Sequence, residues 1–170
     1  MKSFIRRDFF RLGALMIMSA VVSSALSACA GNASVDTANA LSLGGTTWYA
    51  INGSESIGGI GISKIEFDEG GAAVVGMQIM TAEGTESVVD LIEGLAEEDV
   101  DYVLSEDGTW EQSGQEVTLT SADGTPTSWK LEDRDGTVVL VDASAQESAQ
   151  CFYKDFKTAC DKAVELVESE

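Results

Sequence analysis

Residues 101–141 read DYVLSEDGTWEQSGQEVTLTSADGTPTSWKLEDRDGTVVLV. Short β-prone runs alternate here with small turn-forming pairs. Asp101–Leu104 leads to Glu106-Asp107-Gly108, Thr109–Gln112 to Ser113-Gly114, and Glu116–Thr120 to Asp123-Gly124. Thr127–Leu131 then leads to Asp135-Gly136, and Thr137–Val141 closes the series. Asp-Gly suits a tight hairpin because Gly accepts the positive φ that the turn demands. Strands punctuated in this way predict an antiparallel meander, and the absence of strand–helix alternation argues against a parallel sheet.

The same pattern extends toward the N-terminus. Thr46–Ile51 is β-prone and bounded by Gly45 and Asn52-Gly53. Gly61–Asp68 and Ala73–Ile79 flank Glu69-Gly70-Gly71, which predicts a hairpin. Ser87–Leu95 reads as a strand ending at Gly94 or as a short helical turn, with the strand favoured. The tail changes period: Ala145, Ala149, Phe152, Phe156, Ala159, Ala163 and Leu166 recur every three or four residues. That spacing predicts an amphipathic helix laid on the sheet or across a barrel mouth, with Ser144 and Glu147 as a capping box.

Residues 1–28 have the layout of an export signal, a basic start followed by the uncharged run GALMIMSAVVSSAL at 13–26. The run is shorter than the roughly 20 residues of a membrane-spanning helix. Arg6-Arg7-Asp8-Phe9-Phe10-Arg11 resembles a twin-arginine export motif, with Arg6, Arg7 and Phe9 carrying the likeness and Ile5 and Arg11 departing from it. Leu26-Ser27-Ala28-Cys29 resembles the bacterial lipobox, which implies a diacylglycerol thioether on Cys29 and cleavage before it. The resemblance implies a lipoprotein held at the extracytoplasmic face of the cell membrane by its acyl chains. Residues 30–45 are small and polar and read as a flexible tether, with an r.m.s. reach of about 22 Å. Residues 46–170 then form one β domain with a C-terminal helix.

Charge bounds the partners. The 170-residue chain has 10 basic and 29 acidic residues and no His. Removing the signal with Lys2, Arg6, Arg7, Arg11 and Asp8 leaves a net charge of about −22, which repels nucleic acid and anionic lipid headgroups. Without His there is no His-based triad and no common zinc site. No Gly-rich phosphate loop follows a strand, and no carboxylate pair stands out for acid–base work. Asp133-Arg134-Asp135-Gly136 lacks the later ligands of a calcium loop and reads as a hairpin turn. No catalytic residue, metal or cofactor is expected, and the domain reads as a binding or accessory module rather than an enzyme.

Cys151 and Cys160 form an even pair in an exported domain, which argues for a disulfide. Helix geometry objects, since nine residues of unbroken helix rise about 13.5 Å, whereas bridged Cα atoms lie within about 7 Å. Either the helix is broken between them, starting near Asp155, or they are not paired.

Gly45-Thr46-Thr47-Trp48, the repeated Gly-Thr turns and Asp107-Gly108-Thr109-Trp110 are similar to features of small bacterial lipocalin-like lipoproteins. The resemblance implies an antiparallel barrel followed by a helix, with a cavity that in that family can hold a small apolar ligand. Trp48, Trp110 and Trp129 are then either ligand-facing aromatics or core. An envelope protein docking through a basic surface is the alternative partner.

Overall fold

A computed structural model describes residues 41–82, 84, 87–144 and 150–169. The export motif at Arg6, Arg7 and Phe9, the lipobox Cys29 and the cap pair partner Glu147 all lie outside the described residues.

Eight strands form a closed antiparallel barrel in sequence order. They are β1 (Thr46–Ser54), β2 (Gly59–Phe67), β3 (Ala72–Thr81), β4 (Leu104–Ser113), β5 (Glu116–Ser121), β6 (Pro126–Arg134), β7 (Thr137–Asp142) and β8 (Cys151–Tyr153). Between β3 and β4 lie a short helix α1 (Val88–Glu93) and a 3-10 turn (Glu97–Asp99); α2 (Phe156–Glu168) follows β8. Closure runs through β8, which pairs with β7 and meets β1 at Tyr49↔Tyr153. The mainly β fold with a C-terminal helix is the one expected from the sequence.

The register assigns the two faces. Trp48↔Ile65, Val75↔Glu106, Trp110↔Leu119 and Leu131↔Leu140 place these positions inward, and alternation sends Tyr49, Ile51, Ile60 and Ile62 outward. Two cores result. The inner one fills the barrel with Leu43, Trp48, Ala50, Ile65, Phe67, Ala73, Val117, Leu119, Leu131, Leu140 and Phe152. The outer one seals α1 and α2 against the outward apolar residues of β1 and β2. A closed barrel has no sheet edge, so it avoids the unpaired strand that invites aggregation.

The helix α2 runs along β1. Its start is fixed by Asp155, whose carboxylate accepts the Thr158 N–H at 2.7 Å. Phe156 meets Tyr49 edge-to-face at 5.3 Å. At its other end Val167 joins Val88 and Ile92 over Gly53, where a Cβ would lie within 3.2 Å of all three. The barrel thus has a near end, where the chain enters at Leu41 and the turns 68–71, 114–115 and 135–136 lie. The far end holds the turns 55–58 and 122–125 and the α1 connection.

Four expectations are corrected. Asp107-Gly108 is not a turn: β4 runs straight through it, with Gly108 paired to Ser121 and Ala73. A Cβ on Gly108 would lie 2.5 Å from the Thr120 carbonyl oxygen, so the glycine answers a close strand approach. Residues 88–93 are helical rather than extended, because Ser87 and Asp90 form a reciprocal capping box and Val88 and Ile92 bury one face. The tail helix begins at Phe156, and Phe152 belongs instead to β8 and points into the barrel. Packed structure also starts before residue 46, since Leu43 is fully buried inside the barrel. Asp135-Gly136 does form the expected hairpin turn, with φ of 54° and 81°.

Candidate functional site

A ligand cavity is the first place to look in such a barrel, and around Trp48 and Phe67, toward the near end, the interior is occupied by side chains. Trp48, Ile65, Phe67, Leu119, Leu131 and Leu140 are all at most 2% exposed. Eight strands enclose a space that side chains can fill. The three tryptophans are dispersed over this packing. Trp48 donates its indole N–H to Thr46 Oγ1 at 2.9 Å, and Trp129 repeats the device on Thr127 Oγ1 at 3.0 Å. Trp110 donates to the Asp68 carbonyl at 3.0 Å. Trp110 and Trp129 each pack edge-to-face on an inner phenylalanine, Phe67 and Phe152, both at 5.4 Å. The three rings work as core with their polar handles tied off locally.

No disulfide joins Cys151 to Cys160. The chain does break between them, at the passage from β8 to α2, so helix rise no longer forbids the bond. Their surroundings separate them instead. Cys151 points outward from β8, and its Sγ accepts from Arg134 Nη1 at 2.9 Å. Cys160 lies on the buried stripe of α2 with Phe156, Ala159, Ala163 and Val167. Burial pushes the Cys160 thiol up to about 11 and raises Cys151 as well, with Arg134 opposing the latter rise. Neither thiol has the depressed pKa of a nucleophile.

The near end is closed by the entering chain. Gln112 Nε2 donates to the Leu41 carbonyl at 2.7 Å, and Gln112 Oε1 accepts the Leu43 N–H at 3.2 Å. Shallow surface depressions flank Leu41, one toward Glu69 and Trp110, the other toward Thr137 and Tyr153.

The far end is different. Ile57, Ile79, Val103 and Leu166 are the exposed large hydrophobic residues of the described structure, at 79%, 63%, 67% and 63% exposure. Ile57 lies in the β1–β2 turn, Ile79 in β3 in the inward register, Val103 just ahead of β4, whose first residue pairs with Met77 in the middle of β3, and Leu166 in the last turn of α2 beside Val167. Sequence reasoning did not single these residues out, because they are scattered along the chain.

The connection from α1 to β4 passes over Tyr49 and Gly76 on the outer wall of the barrel, with Asp90, Glu93, Glu97, Glu98, Asp99 and Asp101 all exposed. Between residues 65 and 129 the chain has sixteen acidic residues and no basic one. The five ion pairs among the described residues use Glu66, Glu132, Asp161 and Glu165, and none of them involves Asp90, Glu93, Glu97, Glu98, Asp99 or Asp101. This segment is held down from beneath. Tyr49 Oη donates to Glu97, and the Tyr102 ring covers Gly76 with Lys64 Nζ 4.2 Å above its centroid. Burial, with Glu97 and Glu66 nearby, pushes the Tyr102 phenol up to about 12. Among the described residues the buried Tyr102 hydroxyl and Gln78 Oε1 have no hydrogen-bond partner.

No protein-family model matches the chain, and no curated protein or solved structure matches it either.

Proposed function

We propose that this chain is an exported lipoprotein, anchored through Cys29 at the outer face of the cell membrane, whose barrel is a non-catalytic interaction module of the envelope. The packing around Trp48 carries this reading. A carrier of small apolar molecules needs an enclosed apolar space, and here Trp48, Phe67 and their neighbours take up the apolar part of the interior. That leaves the outer surface of the barrel to meet a partner. The sequence ahead of the domain supports the anchor: the lipobox ends at Cys29, and twelve residues on, at Leu41, the chain meets the barrel's near end.

Titrating the lipidated protein in detergent with the neutral dye N-phenyl-1-naphthylamine tests the interior. We expect no saturable rise in fluorescence, and saturable one-to-one binding would overturn the filled-barrel reading in favour of a ligand carrier. The anchor is tested separately with Cys29→Ala, which should release the protein from the membrane fraction and abolish palmitate labelling. Replacing Arg6 and Arg7 by Lys should block maturation if export follows the twin-arginine route.

A further inference from the structure

We infer that the far mouth of the barrel interior binds a small alkylammonium ion, its charged head held by Ser63, Asn52 and Glu106 and its tail leaving past Gly61, Met77 and Ile79. The site lies inside the wall, so it goes beyond the interaction-module reading and does not depend on it.

The register places these residues. In the near half, the inward positions form the inner core around Trp48 and Phe67. Toward the far end the same alternation turns polar. Asn52 follows Ala50 on β1, and Ser63 follows Ile65 on β2. Ser63 pairs with Met77 and Glu106 with Val75, two successive inward positions of β3, so Ser63 and Glu106 enter one level of the interior. Ser121, Thr127 and Asp142 continue the polar level on β5, β6 and β7. An eight-stranded barrel is wide enough to hold one small ligand where side chains do not fill it.

Three observations point to a ligand there. Ser63 is only 8% exposed, faces inward and makes no side-chain hydrogen bond among the described residues. The Asn52 amide, on the neighbouring strand, makes none either. The other polar members are tied to their own strands and turns. Ser121 Oγ donates to the Thr125 carbonyl at 3.1 Å, Thr127 Oγ1 to the Leu119 carbonyl at 3.3 Å, and Asp142 accepts the Ser144 N–H at 2.7 Å. A buried hydroxyl without a partner costs free energy that a ligand would recover.

Space is the second observation. Asn52, Gly61 and Ile79 form one inward row across β1, β2 and β3. A Cβ on Gly61 would meet nothing within 4 Å, and Ile79 is 63% exposed although it faces inward. This row borders open space rather than packed core.

The third is the sign of the charge. Among the described strands no inward position carries Lys or Arg, whereas Glu106 and Asp142 bring carboxylates. A primary ammonium has three donors and no acceptor, which matches a hydroxyl, an amide oxygen and a carboxylate. An anion would be repelled. The apolar tail of the ion then has Met77 and Ile79 beside it on the way out.

The test is calorimetric titration of the lipidated protein in detergent with n-butylammonium chloride at about 0.15 M salt, where long-range attraction is screened. We expect saturable one-to-one binding, with n-butanol and butyrate not binding. Glu106→Gln should weaken binding about tenfold or more, the scale of a lost charge-assisted hydrogen bond. Gly61→Leu should leave the fold intact, because the new side chain enters open space, and should abolish binding by filling it. Glu97→Gln/Glu98→Gln, on the outer wall, removes as much charge or more and should leave binding unchanged. In proton–nitrogen correlation spectra, butylammonium should shift the amides of Gly61 and Ser63 and leave that of Gly114 at the near end in place.

Absence of saturable butylammonium binding would overturn the inference. So would equal binding of n-butanol, which would remove the role of charge. Full affinity in a folded Gly61→Leu variant would place the ion elsewhere, and equal losses from Glu106→Gln and the outer-wall variant would reduce binding to attraction by net charge. The naphthyl dye needs apolar space and does not report on this polar mouth, so the filled core and the ammonium site fail separately.

Discussion

Gln112, near the end of β4, holds Leu41 by donating to its carbonyl at 2.7 Å, across 71 residues of chain. The same amide accepts from Leu43, so one side chain satisfies both backbone groups where the chain enters the barrel. Leu43, fully buried, then closes the near end. Replacing Gln112 by Ala leaves a part-buried carbonyl and N–H without their partner, which costs about 1–3 kcal/mol. We expect a lower Tm for Gln112→Ala and faster proteolysis ahead of Leu43. Leu43→Ala should cost more, about 2–5 kcal/mol, by opening a cavity at the barrel floor. Equal Tm values for Gln112→Ala and the parent would show that the clamp contributes nothing.

Gly108→Ala should be among the most damaging single-methyl changes in the chain. The added Cβ would fall 2.5 Å from a backbone oxygen, Thr120 O, which cannot rotate away as a side chain would. Overpacking of this kind costs about 1–3 kcal/mol or more. Gly114→Ala gives the comparison: there nothing lies within 4 Å of the new atom, and the penalty comes only from its φ of 64°. Denaturant midpoints should rank Gly108→Ala below Gly114→Ala, and the reverse order would contradict the close approach of β4 and β5.

Tyr102→Phe should be neutral or stabilising. Its hydroxyl is buried without a partner among the described residues, so deleting it removes a desolvated polar group at no loss of bonding. The ring contacts with Gly76 and Lys64 survive in Phe. A fall in stability beyond about 1 kcal/mol, the net worth of a typical hydrogen bond, would reveal a partner for the hydroxyl.

The thiols provide a chemical readout. Cys160 is 8% exposed and its thiol is raised to about 11, so at pH 8 it should alkylate far more slowly in the folded protein than in urea. Unreduced, unfolded protein should take up one alkyl group at each of Cys151 and Cys160; uptake of none would establish a disulfide. The raised pKa also fixes a sign. The folded state binds this proton more tightly than the unfolded chain. Its contribution is therefore fully present below the ordinary thiol range and is lost as pH rises from about 9 toward 11.

How much of this was legible in the sequence depends on which signals are unique. Alternation and turn chemistry specified the strands, and Asp135-Gly136 formed its expected turn. Asp107-Gly108 carried the same dipeptide for another reason, because a turn and a close strand approach both demand glycine. Residues 88–93 looked extended through Val88 and Val89, yet Ser87 and Asp90 were there to read as a cap. Alternation is the same in a hollow and a filled barrel, so the packed interior around Trp48 could not be read from it. The basic-free stretch from 65 to 129 was visible as composition. It became a feature of one region only when the barrel order set β3, β4 and β5 side by side.

Charge should govern stability more than any single pair. With sixteen acids and no basic residue along 65–129, the folded state carries a self-repulsion that the expanded chain relieves. Added salt should therefore raise the Tm, since screening acts within about 10 Å at 0.1 M ionic strength. A second electrostatic effect acts at low pH. Asp155 is held below the ordinary carboxylate range by its hydrogen bonds from Thr158, Asp90 by Ser87, and Asp123 by Ser121 and Thr125. Groups with depressed pKa contribute stability above the unfolded value of 3.8 and lose it as pH falls through their folded values. This part of the stability should thus be lost as the pH falls below 3.8. Asp155→Ala, which removes the cap of α2 at a cost of about 1 kcal/mol, should make the acid-side fall shallower. A Tm that drops with added salt would show that carboxylate repulsion is not the dominant electrostatic term, and an acid-side fall as steep in Asp155→Ala as in the parent would show that the cap carries none of it.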